Sequence, residues 1–408
     1  MSAAPSPRRI LLVDCDMFFV QVARLEDPEG AGREELLIVG GSPSGRGVVT
    51  SASYACRAFG VRSAMPTGEA LRLCPDAVVV GVPRGAVSRR SRQVRDALES
   101  LSPVVQAASV DEFYLDLTGT ERLLHGESLD ATAWRIRERV LEETGISVSI
   151  GGGTNRLVAK LATRPAKPGG VVVVPPGQEE AFVGKLDLRA LPGVGPSLLG
   201  TLAKKGLLTV AQARAVEPEW LVRWLGESRA AWLQRRMRGL DDSMVHHGEL
   251  RKSISSERTF SRDIDDDEEL ARRLLKLTVS VTGTLRDRGL LARTVTVKLR
   301  DHDFTTRQRS HTFPEPVESD RVVYPVARGM LEDLRRQRRT GARLLGIGVS
   351  NLHDGPSPRQ MVLFEGGEPR ETDQDRALNR AVDGLRSRFG RDAVLPGGIV
   401  APSAEGDG

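Results

Sequence analysis

Two acidic stretches of this chain carry residue types suited to phosphoryl chemistry. Asp14-Cys15-Asp16 directly follows Ile10-Leu11-Leu12-Val13, and Ser109-Val110-Asp111-Glu112 directly precedes Phe113-Tyr114-Leu115. Short uninterrupted apolar runs of this kind read as buried strands, so the carboxylates stand at strand ends. Carboxylates are costly to bury unless positive charge lies among them. The histidines form no metal-binding set, which leaves hard cations held by oxygen as the natural partners. Asp14, Asp111 and Glu112 together could hold two Mg2+ ions at the spacing of ~4 Å that two-metal phosphoryl transfer requires. Acidic residues at strand ends are also ordinary turn and solvated-loop residues, and spacing alone favours that plainer reading.

Other residues have the chemistry to hold anions. Tyr54 and Arg57 are three apart, which places them on one face of a helix. A guanidinium fork beside a phenol suits a triphosphate; the alternative is a packed Tyr beside a solvent-facing Arg. Leu191-Pro192-Gly193-Val194-Gly195-Pro196 joins two helical segments, and a Gly-x-Gly turn at a helix start exposes N–H groups to a DNA phosphate without reading sequence. It is equally an ordinary tight turn. Gly151-Gly152-Gly153 would let backbone approach a ligand closely, although three glycines alone are a weak signal. Arg84, Arg89, Arg90, Arg92 and Arg95, and again Arg335, Arg336, Arg338 and Arg339, are basic runs that fit either phosphate contact or a solvated surface. His246 and His247 have no Cys or further His at ligand spacing.

The elements that must position these groups follow from periodicity. Strands are expected over 10–13, 36–40, 77–82, 113–117 and 146–150, with helices over 67–75, 87–101 and 131–143. The character turns helical from Leu188 to about Gly239, and 241–250 reads as a linker. From Arg251 a further domain begins, with helices over 270–285 and 322–334, a cleanly alternating strand over 293–300 and a weaker one over 345–349. A short helix is expected within 379–389. The 408 residues suffice for two to four domains with sizeable cores, and the pattern is α+β multidomain. Lys and Arg total 59 against 54 Asp and Glu, a net +5 that permits nucleic-acid binding without requiring it. Aromatic residues make up only 4%, which argues against an extensive stacking platform. Cys15, Cys56 and Cys74 make neither a metal spacing nor a disulfide framework, as expected in a reducing cytoplasm. No apolar stretch is long enough to span a membrane, and no signal-peptide core follows Arg8 and Arg9. The expected setting is cytoplasmic and nucleoid-associated.

The first acidic stretch, continued through Gln21 to Pro28, resembles the opening motif of the Y-family translesion DNA polymerases, and Ser109 to Glu112 resembles their Ser-x-Asp-Glu motif. Ser53 to Pro66 is similar to the fingers motif of the bacterial DNA polymerase IV branch, Lys160 to Gly170 to the end of its palm, and Leu191 to Pro196 to its thumb helix-hairpin-helix. The resemblance runs from about Ile10 to Phe364 in the family's order. It implies a right-hand polymerase: palm over 10–22 and 81–175, fingers with adjoining palm elements over 23–80, thumb over 176–240, linker over 241–250 and little finger over 251–359, after residues 1–9, which are rich in Pro, Ser and Ala and are expected to be disordered. By the same resemblance, Asp14, Asp111, Glu112 and the Cys15 backbone carbonyl would hold two Mg2+, with Mn2+ as a substitute. Asp16 would be no direct ligand. Tyr54, Arg57 and Lys167 would contact the incoming deoxynucleoside triphosphate, with Lys160 in support. Phe19 would be the steric gate against a ribose, and Gly193 and Gly195 would hold the DNA backbone. Gln360, Met361, Leu363 and Phe364 resemble a peptide that binds the sliding clamp, although an apolar pair there could equally be a final strand; 365–408 would be a tail. Departures are Arg156 where Lys is common, Ala23 where Glu is usual and Met361 for Leu. The implied activity is template-directed, low-fidelity DNA synthesis on a primer-template by a monomer. The alternatives are a catalytically inactive architectural protein that binds DNA and the clamp, and a Mg2+-dependent cyclase with a similar palm.

Overall fold

The computed structural model describes residues 7–123, 125–248, 251–354, 371–390 and 393–397. The chain folds into two compact units, Met1–Glu249 and Leu250–Gly408.

The first unit runs β1 (Ile10–Cys15), α1 (Phe18–Glu26), β2 (Leu37–Gly40), β3 (Val49–Ala52), α2 (Tyr54–Ala58), α3 (Thr67–Leu73), β4 (Val78–Val80), α4 (Arg84–Glu99), β5 (Val104–Ala107), β6 (Glu112–Asp116), α5 (Leu129–Thr144), β7 (Val148–Gly153), α6 (Arg156–Ala166) and β8 (Val171–Val173). Five short helices follow: α7 (Glu179–Gly184), α8 (Pro196–Ala203), α9 (Val210–Arg214), α10 (Pro218–Leu225) and α11 (Glu227–Met237). The main sheet has the order β5-β6-β1-β7-β8. β1 is its middle strand, which explains why Ile10 to Val13 are apolar on both faces and all at 0% exposure. One face packs against α4 and α5 through Leu11, Val13, Phe113, Leu115, Ile136 and Val140. Against the other face lies α6. Gly151 is what admits that helix: a Cβ there would collide with the Ala159 carbonyl and with Thr163. Gly151 and Gly153 thus make room for α6, while a Cβ at Gly152 would meet Val173 and Leu11. Asn155 starts α6, accepting from the Val158 N–H at 2.9 Å and donating to the Gly239 carbonyl at 2.8 Å.

A small sheet in the order β3-β2-β4 carries α2 and α3 around a core of Ile38, Val49, Cys56 and Ala70. The five short helices close on Leu188, Leu202, Val210, Leu221 and Leu233. Residues 241–248, read from sequence as linker, lie along the main sheet: Val245 packs with Ile10, Leu12 and Tyr114, and His247 Nε2 lies 2.6 Å from the Pro103 carbonyl.

The second unit runs β9 (Ser253–Ile264), α12 (Asp267–Arg286), β10 (Leu290–Asp301), β11 (Thr306–Val317), α13 (Asp320–Gln337), β12 (Ala342–Asp354) and α14 (Asp373–Phe389). Its sheet is antiparallel, in the order β11-β10-β12-β9. Val295, Val297 and Leu299 point inward, where they join Leu274, Val281, Leu331 and Leu334 of α12 and α13. Thr294, Thr296 and Lys298 line the opposite face. α14 is fastened by Arg286, whose Nε and Nη2 donate to Asp383 at 2.6 and 3.0 Å.

Candidate active site

Antiparallel pairing of β1 with β6 sets Asp14 directly opposite Glu112. Asp111 immediately precedes β6, and its carbonyl accepts from the Cys15 N–H at 2.9 Å. The three carboxylates therefore come from two adjoining strand ends. Ser109 shapes the turn between them, its hydroxyl oxygen accepting from the Asp111 and Glu112 N–H groups at 3.2 and 3.0 Å while the hydroxyl donates to the Asp111 carboxylate. The Cys15 thiol is buried in the core, and burial beside Asp111 pushes its pKa up, which leaves only its backbone for a role here.

Two lysines meet these carboxylates. Lys160 Nζ donates to both Glu112 oxygens at 2.8 and 2.7 Å, and Lys167 Nζ donates to Asp14 Oδ1 at 2.7 Å. Burial pushes the Asp14 carboxyl up to about 6; Lys167 works against that shift, and Glu112 and Asp111 add to it. For Lys160, burial favours the neutral amine, yet the bond to Glu112 and the surrounding negative charge raise its pKa. Among the described residues, no three carboxylate, imidazole or thiolate groups converge on one point. The donor chemistry nonetheless fits a hard cation, since the ligands are carboxylates and the two ammonium groups already supply positive charge at the same oxygens.

Asp16, just past the end of β1, is buried and accepts from four donors: the Tyr54 hydroxyl at 2.9 Å, the Ser149 and Ser147 hydroxyls at 2.7 and 3.1 Å, and the Gly169 N–H at 2.9 Å. It joins α2, β7 and the loop that carries Lys167. This joint was missed in the sequence, though the Ser147 and Ser149 alternation gave a signal: both serines point to the face that Asp14 and Asp16 share. Tyr54 and Arg57 share a helix face as expected, with the guanidinium 5.0 Å from the ring centroid and its Nε donating to the Ala52 carbonyl at 3.0 Å. The Tyr54 hydroxyl is committed to Asp16, which raises its pKa along with burial. A concavity of about 380 Å³ lies beside Arg57, lined also by Gly60, Val61, Arg62 and Ser63.

Met17 takes a left-handed conformation, φ 37°, at the start of α1, the sharp turn after which the chain sets Phe18 into the core and leaves Phe19 half-buried against it at 5.9 Å. Arg156 stacks on the Tyr114 ring at 4.4 Å and donates to the Met244 carbonyl at 3.0 Å, a planar contact a Lys could not reproduce. Gly193, at φ 95°, lies under the Trp232 ring, whereas Gly195 caps α8 with open space beside it. Two basic runs are engaged internally. Arg89 and Arg90 bond Glu26 at 2.5 and 3.2 Å. Arg335 bonds Asp267 at 2.6 Å, Arg338 bonds Asp301 and Asp303 at 3.0 and 2.8 Å, Arg336 bonds Asp333, and Arg339 lies 3.5 Å from Asp267. Gln360, Met361, Leu363 and Phe364 lie outside the described residues.

Residues 13–164 match the model of the impB/mucB/samB family, and residues 251–363 match that of the impB/mucB/samB family C-terminal domain. Among solved structures, the chimeric Y-family DNA polymerase Dbh-Dpo4(243-245)-Dbh superposes with a TM-score of 0.76 at 23% identity, covering 85% of this chain and 100% of that one. DinB from Sulfolobus solfataricus superposes with a TM-score of 0.58 at 24% identity. The fold is that of a Y-family polymerase, with palm, fingers, thumb and little finger. The DNA polymerase IV of Caulobacter vibrioides is 35% identical over 387 residues, 94% of this chain and 92% of that protein. That of Halorhodospira halophila is 38% identical over 357 residues, 88% of this chain and 98% of that protein. The chain belongs to the DNA polymerase IV branch of the Y family.

Proposed function

We propose that this chain is a template-directed DNA polymerase that adds deoxynucleotides to a primer 3′ end with low fidelity, including opposite damaged template bases. Membership of the polymerase IV branch supports the activity. The observation that carries the site assignment is the cross-strand pair Asp14–Glu112 with Asp111 beside it, each end of the pair met by a lysine. Asp14, Asp111, Glu112 and the Cys15 backbone carbonyl would hold two Mg2+, or Mn2+, ions. When bound, those ions lower the pKa of the primer hydroxyl and neutralise charge on the triphosphate. The remaining work belongs to side chains of this protein. Arg57 offers a fork to phosphate oxygens and Lys167 a point charge beside Asp14. Tyr54 reaches a phosphate only by exchanging its hydrogen bond to Asp16. Lys160 holds Glu112 in place. Phe19, half-buried and backed by Phe18, offers a firm wall to a deoxyribose and none of the room a 2′-hydroxyl needs. The Gly195 end of α8 and the hydroxyl-rich face of the second unit's sheet would take the DNA backbone.

Gln360 to Phe364 would hold a sliding clamp, on the strength of their sequence, and the working place would be the cytoplasm, at the nucleoid. Extension of a labelled primer with each nucleotide separately, beside the Asp111→Ala/Glu112→Ala double variant, tests the reading. Template-directed addition by the wild type that is lost in the variant is the expected result. No addition with either Mg2+ or Mn2+, on a primer-template that is demonstrably bound, would favour the architectural alternative.

A further inference from the structure

Two adjacent rows of the outward face of the second unit's sheet are built of small residues, nearly all with hydroxyls. Across its four strands, one row reads Thr312, Thr294, Ser350 and Ser253, and the next reads Ser310, Thr296, Gly348 and Ser255. Hydroxyls pair along these rows, Thr294 with Thr312 at 3.0 Å and Thr296 with Ser310 at 2.8 Å. A low, hydroxylated surface of this kind lets a phosphodiester backbone lie close to the strands.

The third row breaks the pattern. It reads Gln308, Lys298, Gly346 and Glu257, placing the only two charges of these rows two strands apart with a glycine between them. Because Gly346 has no side chain, Lys298 reaches across it and donates to both Glu257 oxygens at 2.9 and 3.1 Å. A Cβ at Gly346 would stand 2.7 Å from Glu257 Cγ and push that side chain from its present position, and Gly346 lies buried beneath the bridge. The side chains of Lys298 and Glu257 are 29% and 40% exposed. A pair at this exposure contributes little to stability, so its position calls for another account.

We propose that Glu257 is a brake on nucleic-acid affinity: it engages the one lysine of these rows and withholds it from a phosphate backbone laid across the sheet. The inference rests on the reading of this face as a DNA surface. The charge of Lys298 is cancelled within the protein, so the wild type releases no counterion on its account. Removing the carboxylate frees one phosphate contact. Each such contact steepens the dependence of log K on log salt by about 0.9, which corresponds to about 3.5-fold more affinity lost between 50 and 200 mM salt.

The test is fluorescence anisotropy of a labelled duplex primer-template against the full chain over a KCl series, for the wild type, Glu257→Gln, Lys298→Ala and the double variant. Glu257→Gln should bind more tightly at low salt with a slope steeper by about 0.9. The double variant, neutral like the intact pair, should return to the wild-type slope, and Lys298→Ala should bind more weakly because it bares Glu257. An unchanged slope in Glu257→Gln would mean Lys298 reaches no phosphate, and would overturn the proposal. So would a double variant with a slope shallower than wild type, since Lys298 would then already be in use. A wild type that binds no DNA at any salt would overturn the DNA reading and the brake together, whereas normal wild-type binding with either slope result above would overturn the brake alone.

Discussion

Replacing Asp14 with Asn should stabilise the metal-free protein, by an amount set by pH. The Asp14 carboxyl is 13% exposed, and its pKa is raised from 3.8 to about 6, chiefly by burial, with Lys167 relieving only part of the cost. The native state therefore binds this proton more tightly than the unfolded chain. Its contribution to stability is fully present below pH 3.8 and is lost as pH rises through about 6. A displacement of about two units corresponds to about 3 kcal/mol at 1.36 kcal/mol per unit. Asn has nearly the shape of the protonated acid and never ionises. The stability difference between Asp14→Asn and wild type should thus be close to zero near pH 4 and grow to about 3 kcal/mol by pH 8. Titrating groups that do not interact with Asp14 are common to both proteins and cancel in the difference, which leaves the coupled Lys167, Glu112 and Asp111 as a smaller correction. Scanning calorimetry in a chelator, from pH 4 to 8, reads this directly. Adding millimolar Mg2+ at pH 8 should raise the wild-type midpoint and leave that of Asp14→Asn nearly unmoved, closing the gap. A gap that is constant with pH, or that widens on acidification, would refute the desolvation argument. Equal stabilisation of both proteins by Mg2+ would remove Asp14 from the metal set.

Two further outcomes follow from the same geometry. Phe19→Ala should sharply raise ribonucleotide incorporation relative to deoxyribonucleotide in competition assays while leaving deoxynucleotide addition measurable, and unchanged sugar discrimination would take Phe19 out of the gate. Asn155→Ala should cost about 1–2 kcal/mol by removing the cap of α6 and the bond to the Gly239 carbonyl, read as a lowered denaturation midpoint; Asn155→Ser should restore the cap and recover only part of the loss.

The parts of this fold that were legible in the sequence are those whose burial is one-dimensional. β1, β6 and β7 announce themselves by continuous or alternating apolar residues because both neighbours and both faces are fixed by the sheet. β11 and β9 did not, because each is an edge strand. Thr306–Val317 carries Arg307, Arg309, Pro314 and Pro316, and its inward face offers only Phe313 and Val317 as buried apolar residues. The arginine runs show a second limit. Composition reveals the cations at 335–339, but the aspartates that neutralise them are Asp267, Asp301, Asp303 and Asp333, and only the fold brings Asp267 and Asp301 across to them. The glycine triplet and the helical start at Leu157 to Lys160 were both visible, but not that the helix itself is what comes close, since close approach has the same sequence signature whether the visitor is a ligand or α6.

Asp14 and Asp16 show most clearly what three dimensions add. They are the same residue type, two apart at the end of one strand, Asp14 within β1 and Asp16 just beyond it, so no local property of the sequence separates them. Hydrogen bonding does. Asp16 accepts from four uncharged donors, three hydroxyls and a backbone N–H, which satisfies a buried carboxylate without any cation. Those donors would have to be displaced before a metal could bind, and each displaced partner would leave a polar group unpaired at a cost of roughly 1–3 kcal/mol. Asp14, among the described residues, accepts from Lys167 alone, through Oδ1. An ammonium is the one partner a divalent cation can replace while improving the local charge balance, and Lys167, 30% exposed, can turn toward solvent or a phosphate when it is displaced. Glu112 differs from both aspartates, since Lys160 bonds its two oxygens at 2.8 and 2.7 Å and fixes its orientation. On the proposed reading, Asp16 is scaffold and Asp14 a ligand whose one lysine can be exchanged, and the division is set by the number and charge of the donors facing each one.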